Sequence, residues 1–359
     1  MKKYLTILLL VVFSNKLAAQ SPGKEPKIHW TAYLETYYAY DFGKPSNHEK
    51  PSFLYSFNRH NEVNLNLGLL KASYADERSR ANIAIGAGTY MNANLAAEPG
   101  VLKNIYEANA GVKISKNKNL WVDAGIFSSH IGFESAIGKD CWTLTRSILA
   151  ENSPYYESGV KVSYNSNNGK WFISGLLLNG WQRIYRIDGN NTPAFGHQVS
   201  FMPNDKITLN SSSFIGNDQA DSSKLMRYFH NFYAVFQLDE NWGIITGFDI
   251  GLQQQTKGSK RYNNWYAPVL ICQYKPVEKM HLAARAEYYH DPNSVIVSSS
   301  DINGCQVWSF SLNYDYLITK NILWRIEGRT FSSKGDFFQK EGSPSSNNNQ
   351  LITSLAISF

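Results

Sequence analysis

Thirteen charged residues sit on segments whose side chains alternate in polarity, and a charge repeated on one face of an extended chain can line water. They are Glu35, Glu62, Arg80, Glu107, Lys113, Asp123, Glu157, Lys161, Arg285, Glu287, Arg325, Glu327 and Arg329. Both signs occur, so rings or facing ladders of these groups could set the field and selectivity of an aqueous pore. The plainer role is pairing across neighbouring strands, Arg285–Glu287 and Arg325–Glu327–Arg329 above all, to hold a wall together. Covalent and metal chemistry find no support. The eight histidines form no His-Glu-x-x-His pattern, and neither a Gly-x-Ser-x-Gly elbow nor a phosphate-binding glycine loop occurs. Asn210 and Asn231 could lie near a His and a Ser, as barrel phospholipases require, but Ser and Asn are abundant throughout. No catalytic residue, metal or cofactor is expected.

The elements that must position those charges are strands. Ile28, Trp30, Ala32, Leu34, Thr36, Tyr38 and Tyr40 alternate with His29, Thr31, Glu35 and Asp41. Val63, Leu65, Leu67 and Leu69 alternate with Glu62, Asn64, Asn66 and Gly68. Ala81 to Ala87, Tyr106 to Ile114, Leu120 to Ile126 and Leu282 to Tyr288 repeat the pattern. A period of two with one apolar side is a strand between oil and water. The faces of the strands near Trp171 and Ala267 cannot be assigned in this way. About sixteen such segments follow one another, each near the ~9–11 residues of a tilted membrane strand, with 14 or 18 as alternatives.

Connection lengths alternate too. Short turns such as Asp76–Ser79, Lys116–Asn119 and Ile318–Asn321 take turns with long stretches such as Phe42–Arg59, Ser128–Pro154 and Ser333–Asn348. A sandwich has no reason to sort its loops by length. A transmembrane antiparallel up-and-down barrel does, with short periplasmic turns and long external loops. The expected fold is therefore all-β, one barrel over residues 20–359. The longest connection, Ser128–Pro154, is the third external one and carries His130, Glu134, Lys139, Asp140, Arg146 and Glu151 around a helical turn near Trp142–Ala150. By position it is the candidate constriction, with His130, Glu134, Asp140 and Arg146 as its polar groups; a loop lying over the rim or against another subunit is the alternative.

Residues 1–19 read as an export signal: Lys2 and Lys3, then Leu5 to Phe13, then Leu17-Ala18-Ala19 before the cut. Removing Lys2, Lys3 and Lys16 takes Lys+Arg from 35 to 32 against 29 acids, so the net charge falls from +6 to +3. That modest, scattered charge does not suit nucleic acid. Aromatic residues make up 14% of a chain whose mean hydropathy is negative, which fits outer aromatic girdles around a polar lumen. Cys141, Cys272 and Cys305 are expected to stay unpaired, because a closed barrel needs no staple. The final stretch alternates Leu351, Thr353, Leu355, Ile357 and Phe359 with smaller or polar residues, and a terminal Phe359 resembles the signal that barrel-insertion machinery reads. No plug-sized segment precedes the first strand, which argues against a gated iron-chelate transporter.

Three stretches carry a family resemblance: Asn94-Leu95-Ala96-Ala97-Glu98-Pro99-Gly100, Ala124 through Glu134, and Ala150-Glu151-Asn152-Ser153-Pro154-Tyr155-Tyr156-Glu157. They resemble the putative β-barrel porin-2, or OmpL-like, family of outer-membrane proteins over nearly the whole mature chain. The resemblance implies an outer-membrane barrel with a pore role and brings no established catalytic or binding residues. The expected function is passive diffusion of small hydrophilic solutes or ions. A barrel-type lipid or polymer hydrolase, and a binding or structural barrel acting through its loops, stand as the alternatives. Expected partners are outer-membrane lipid, the insertion machinery and the solutes, with a homo-oligomer allowed by analogy to general porins.

Overall fold

The computed structural model describes residues 28–359. The export-signal reading of residues 1–19 therefore lies outside the described residues. Sixteen antiparallel strands close into a barrel, as the alternation of segments and turns predicts. In chain order the first eight are β1 Ile28–Asp41, β2 Val63–Ala75, β3 Ser79–Ala87, β4 Ile105–Lys113, β5 Asn119–Ser128, β6 Tyr156–Asn165, β7 Trp171–Leu178 and β8 Ala194–Asn204. Then come β9 Ile207–Asn217, β10 Met226–Gln237, β11 Trp242–Gln254, β12 Tyr262–Val277, β13 Met280–Asp291, β14 Cys305–Thr319 and β15 Ile322–Ser333. A small hairpin, β16 Phe338–Lys340 and β17 Ser343–Ser345, decorates the last long loop, and β18 Asn347–Ser358 is the sixteenth stave. Closure joins β18 to β1 in register from Tyr33↔Ser358 to Asp41↔Gln350, leaving no open edge. The long connections, which lie at one rim, cover residues 42–62, 88–104, 129–155, 179–193, 218–225, 255–261, 292–304 and 334–346.

The outward face is apolar, with Ile83, Ile85, Val112, Val160, Ile173, Leu270, Phe310, Leu312 and Leu355 exposed. In water such a belt would be costly; acyl chains remove the cost. Aromatic pairs mark the two levels of the belt. Trp171 stacks on Phe201 and Trp242 on Tyr274 near the short turns, while Tyr228–Tyr262 and Tyr288–Trp308 meet near the long loops.

Two bulges alter the alternation read from sequence. Between β1 and β2 the register shifts at Glu35/Thr36, so Leu67 and Leu69 point inward and are buried while Leu70 points out. Between β3 and β4 the shift at Ala84/Ile85 leaves Tyr106 and Glu107 both on the lumen side. Strict alternation alone puts Leu67, Leu69 and Tyr106 on the lipid side. The inner face of β12 is Trp265, Ala267, Val269 and Ile271, all buried, which explains why hydropathy alone could not orient that strand. They belong to a large apolar cluster inside the barrel that also holds Phe53, Ile148, Leu149, Trp181, Val297, Phe331 and Phe338.

Candidate functional site

The third long loop leaves β5, crosses the lumen and is tied to the far wall. His130 bonds Glu157 Oε2 at 2.8 Å and the Ser213 carbonyl at 2.7 Å through its two ring nitrogens. The Gly132 N–H reaches Asn231 Oδ1 at 3.2 Å, and the Leu144 N–H reaches Asn313 Oδ1 at 3.0 Å. Thr145 donates N–H and hydroxyl to Glu327, and the Ile148 N–H donates to Glu287 at 2.6 Å. A short helix, α1 Ile148–Glu151, starts at Ser147, whose hydroxyl caps the Ala150 N–H and itself donates to Glu134. Wall glycines receive the loop's rings. A Cβ on Gly243 would come within 2.5 Å of Trp142, one on Gly247 within 2.7 Å of Phe133, and one on Gly196 within 2.6 Å of His130.

Three inward arginines complete the attachment. Arg285 pairs with Glu327 at 2.8 Å, Arg329 with Glu287 at 2.6 Å, and Arg325 with Asp315 through two bonds of 2.7 and 2.9 Å. Their remaining donors serve loop carbonyls: Arg285 to Thr145, Arg329 to Arg146, and Arg325 to Gly138 and Cys141. Arg146 knots the loop itself by donating to the carbonyls of Ser135, Leu144 and Ala136. All four arginines are buried. Buried guanidinium groups of this kind are costly to desolvate, and a lost partner costs far more than the pair itself contributes.

Beneath the loop lies a cavity of about 1330 Å³ that reaches the short-turn rim at Lys275–Glu278, Thr319–Asn321 and Ser358 and is roofed by Phe127–Cys141. Arg80, Glu107, Asp123 and Lys161 line it, as do His130, Glu134 and Asp140 from the loop. The other sequence candidates sit elsewhere. Glu35 is buried against Asn66 and Ser354, and Glu157 behind His130. Glu62 pairs with Arg59 just before β2, Lys113 ends β4 at the short-turn side, and Arg285, Glu287, Arg325, Glu327, Arg329 and Arg146 hold the loop. Lys71, paired with Glu107 in the cavity wall, was not singled out from sequence. The β2 bulge reverses its face, and no local pattern announces that.

Above the loop the lumen is filled rather than open. Phe53 of the first loop meets Phe331 of β15 and Phe337 and Phe338 of the eighth loop at centroid distances of 5.5–6.3 Å. Glu151 accepts the Tyr55 N–H at 3.1 Å and the Ser56 N–H at 3.2 Å, tying the first loop to the third. Burial shapes the titration of these loop groups. It pushes the Lys50 ammonium, also beside Arg329, down to about 8, raises the carboxyls of Glu134 and Glu151, and lifts the Cys141 thiol to about 11. For His130 burial works against the charged ring, but the adjoining Glu157 carboxylate outweighs it and the pKa rises.

The three cysteines are free thiols. Ser211 lies 3.0 Å from His230 and Ser213 lies 2.6 Å from His197, all four on outward faces of β8–β10. Asn210 and Asn231 point the other way, toward Ser200, Ser212 and Asp249, so neither amide orients these imidazoles. No group of His, Cys, Asp and Glu able to hold a metal forms among the described residues.

A family profile described as putative beta-barrel porin-2, OmpL-like, matches residues 27–359. No curated protein matches the sequence. Among solved structures, an anion-selective porin from Comamonas acidovorans superposes with a TM-score of 0.62 at 8% identity, covering 93% of this chain and 100% of that one. OmpT of Vibrio cholerae in its trimer form gives 0.60 at 10% identity over 94% and 100% of the two chains. The outer membrane channel DcaP of Acinetobacter baumannii gives 0.58 at 11% identity over 93% and 97%. At these identities the likeness is one of fold.

Proposed function

The chain belongs to the putative β-barrel porin-2, OmpL-like family of outer-membrane barrels, and from that premise we propose that it is a passive channel for small hydrophilic solutes or ions. One observation carries the reading: a polar, mixed-charge cavity inside a closed sixteen-strand barrel ends at a loop pinned across the lumen. A loop held by buried ion pairs on the opposite wall is a constriction of fixed shape, and the cavity below it is the periplasmic vestibule. The packed phenylalanines of the first and eighth loops form an external lid. Solute passage then requires that lid to lift, so the arrangement described is the closed one. In this reading Arg80, Asp123, Glu107 and Lys161 face the solute, and the buried arginines set the constriction without touching it.

The outward Ser–His pairs are the strongest feature in favour of a hydrolase, and they lack the orienting third group that a nucleophilic serine needs. Among the similar structures one is a trimer form, which favours a homo-oligomer here. Phe359, exposed and paired with Ala32 at the short-turn rim, suits recognition by insertion machinery. The test is solute efflux from vesicles holding the refolded chain. Small sugars and amino acids should leak faster than from empty vesicles, with a sharp decline as solute size rises. Efflux equal to that of empty vesicles, with the protein shown folded by its heat-dependent gel migration, would overturn the proposal.

A further inference from the structure

We propose that Lys161 anchors a binding site for small monocarboxylates with an apolar body, inside the cavity beneath the third loop. The inference deepens the channel reading, on which the route of the ligand to the site rests. It starts from one row of the wall. Arg80, Gly111, Asp123 and Lys161 face one another across β3, β4, β5 and β6. Gly111 has no side chain, so Arg80 reaches over β4 and grips both oxygens of Asp123. Lys161, next in the row, is left without that carboxylate.

Its other acidic neighbours have partners of their own, Glu157 Oε2 the His130 ring and Glu107 the Lys71 ammonium. Among the described residues the Lys161 ammonium has no ion pair and no hydrogen bond; it stands over the Phe127 ring at 4.6 Å from the centroid. A lysine on a cavity wall with no carboxylate bonded to it attracts an anion. At this point of the wall a ligand meets one ammonium: a dianion such as phosphate would bring a second negative charge beside Asp123 and Glu107, whereas a monocarboxylate needs only the one. The walls supply the rest of the selectivity: Tyr106, Phe133, Trp142, Tyr155 and Tyr233 also line the cavity and offer apolar surface to the body of the ligand.

The experiment is calorimetric titration of benzoate into the folded full-length mature chain in detergent, with benzylamine and benzyl alcohol as probes of the same shape and different charge. Benzoate should bind, benzyl alcohol about tenfold or more weakly, and benzylamine not at all. Lys161→Met should weaken benzoate about tenfold or more, and Lys161→Arg should keep it within a few-fold. Benzoate binding unchanged in Lys161→Met, benzylamine binding as well as benzoate, or no benzoate binding to the wild type each overturns the site. Should Lys161→Met fail to fold, the benzoate–benzylamine contrast in the wild type and in Lys161→Arg still decides. A protein that binds benzoate through Lys161 yet passes no solute would refute the channel and leave the site standing.

Discussion

Thr145 gives both its backbone N–H and its hydroxyl to one carboxylate, that of Glu327, at 2.6 and 2.8 Å. Thr145 belongs to a loop rooted at β5 and β6, Glu327 to β15 across the lumen from those roots, and Arg285 joins them by bonding Glu327 and Thr145 together. Glu327→Ala would leave the Arg285 charge and the Thr145 N–H short of a buried partner. We expect a loss of about 3–5 kcal/mol against urea unfolding in lipid vesicles. Thr145→Val, which removes one hydroxyl, should cost only about 1–2 kcal/mol. Equal, negligible losses for both would show that the loop is not held there.

Glycine at 243 is a seat for Trp142. Gly243→Val places methyls where the indole packs and should push the loop off the wall, lowering stability by about 1–3 kcal/mol. Combining it with Trp142→Ala should cost clearly less than the sum of the two single losses, since the clash disappears with the indole. A double variant as unstable as the sum of the two singles would mean that the residues do not share that space.

The lid makes a separate prediction. Phe53→Ala with Phe338→Ala removes two buried rings from the cluster that fills the external half of the lumen. Each ring should cost about 3–5 kcal/mol of packing if the loops cannot collapse onto the space. Because the cost falls on the closed arrangement, solute efflux from vesicles should rise several-fold. Unchanged or slower efflux would contradict a lid that has to lift.

Lys50 should make the lid respond to alkali. Burial lowers its pKa from 10.5 to about 8, so the docked first loop binds the proton less well than an undocked one. Between those two values the undocked form carries more protons, and docking therefore strengthens as pH rises from about 8 toward 10.5. Arg329, Glu151, Asp41 and Glu327 also bear on the ammonium, while Cys141, at about 11, titrates mostly above the window. Efflux should fall as the medium is taken from pH 7.5 to about 10. Lys50→Met should abolish that trend, and a trend that survives the substitution would assign it to other groups.

Sequence periodicity revealed the barrel because lipid and water impose opposite demands on adjacent residues of the same strand. It failed locally for physical reasons. One extra residue at the β1–β2 bulge turned Leu67 and Leu69 inward and brought Lys71 to the cavity wall. The inner face of β12 is apolar because it packs on loops rather than on water, so Trp265, Val269 and Ile271 carry no alternation. Inward charge was legible at Arg285, Arg325 and Arg329, and so was its pairing across the wall, but its grip on the third loop was not. Sequence cannot tell a carboxylate or guanidinium that meets solvent from one that meets the backbone of a loop arriving from more than a hundred residues away.

The central claim is that a constricted, lidded water path runs through this barrel, and single-channel recording in planar bilayers tests it most directly. Wild-type protein should give discrete steps that grow when residues 334–346 are replaced by a short turn and the eighth loop's share of the lid is gone. Wild type and shortened chain both folded, both inserted and both electrically silent would contradict the account.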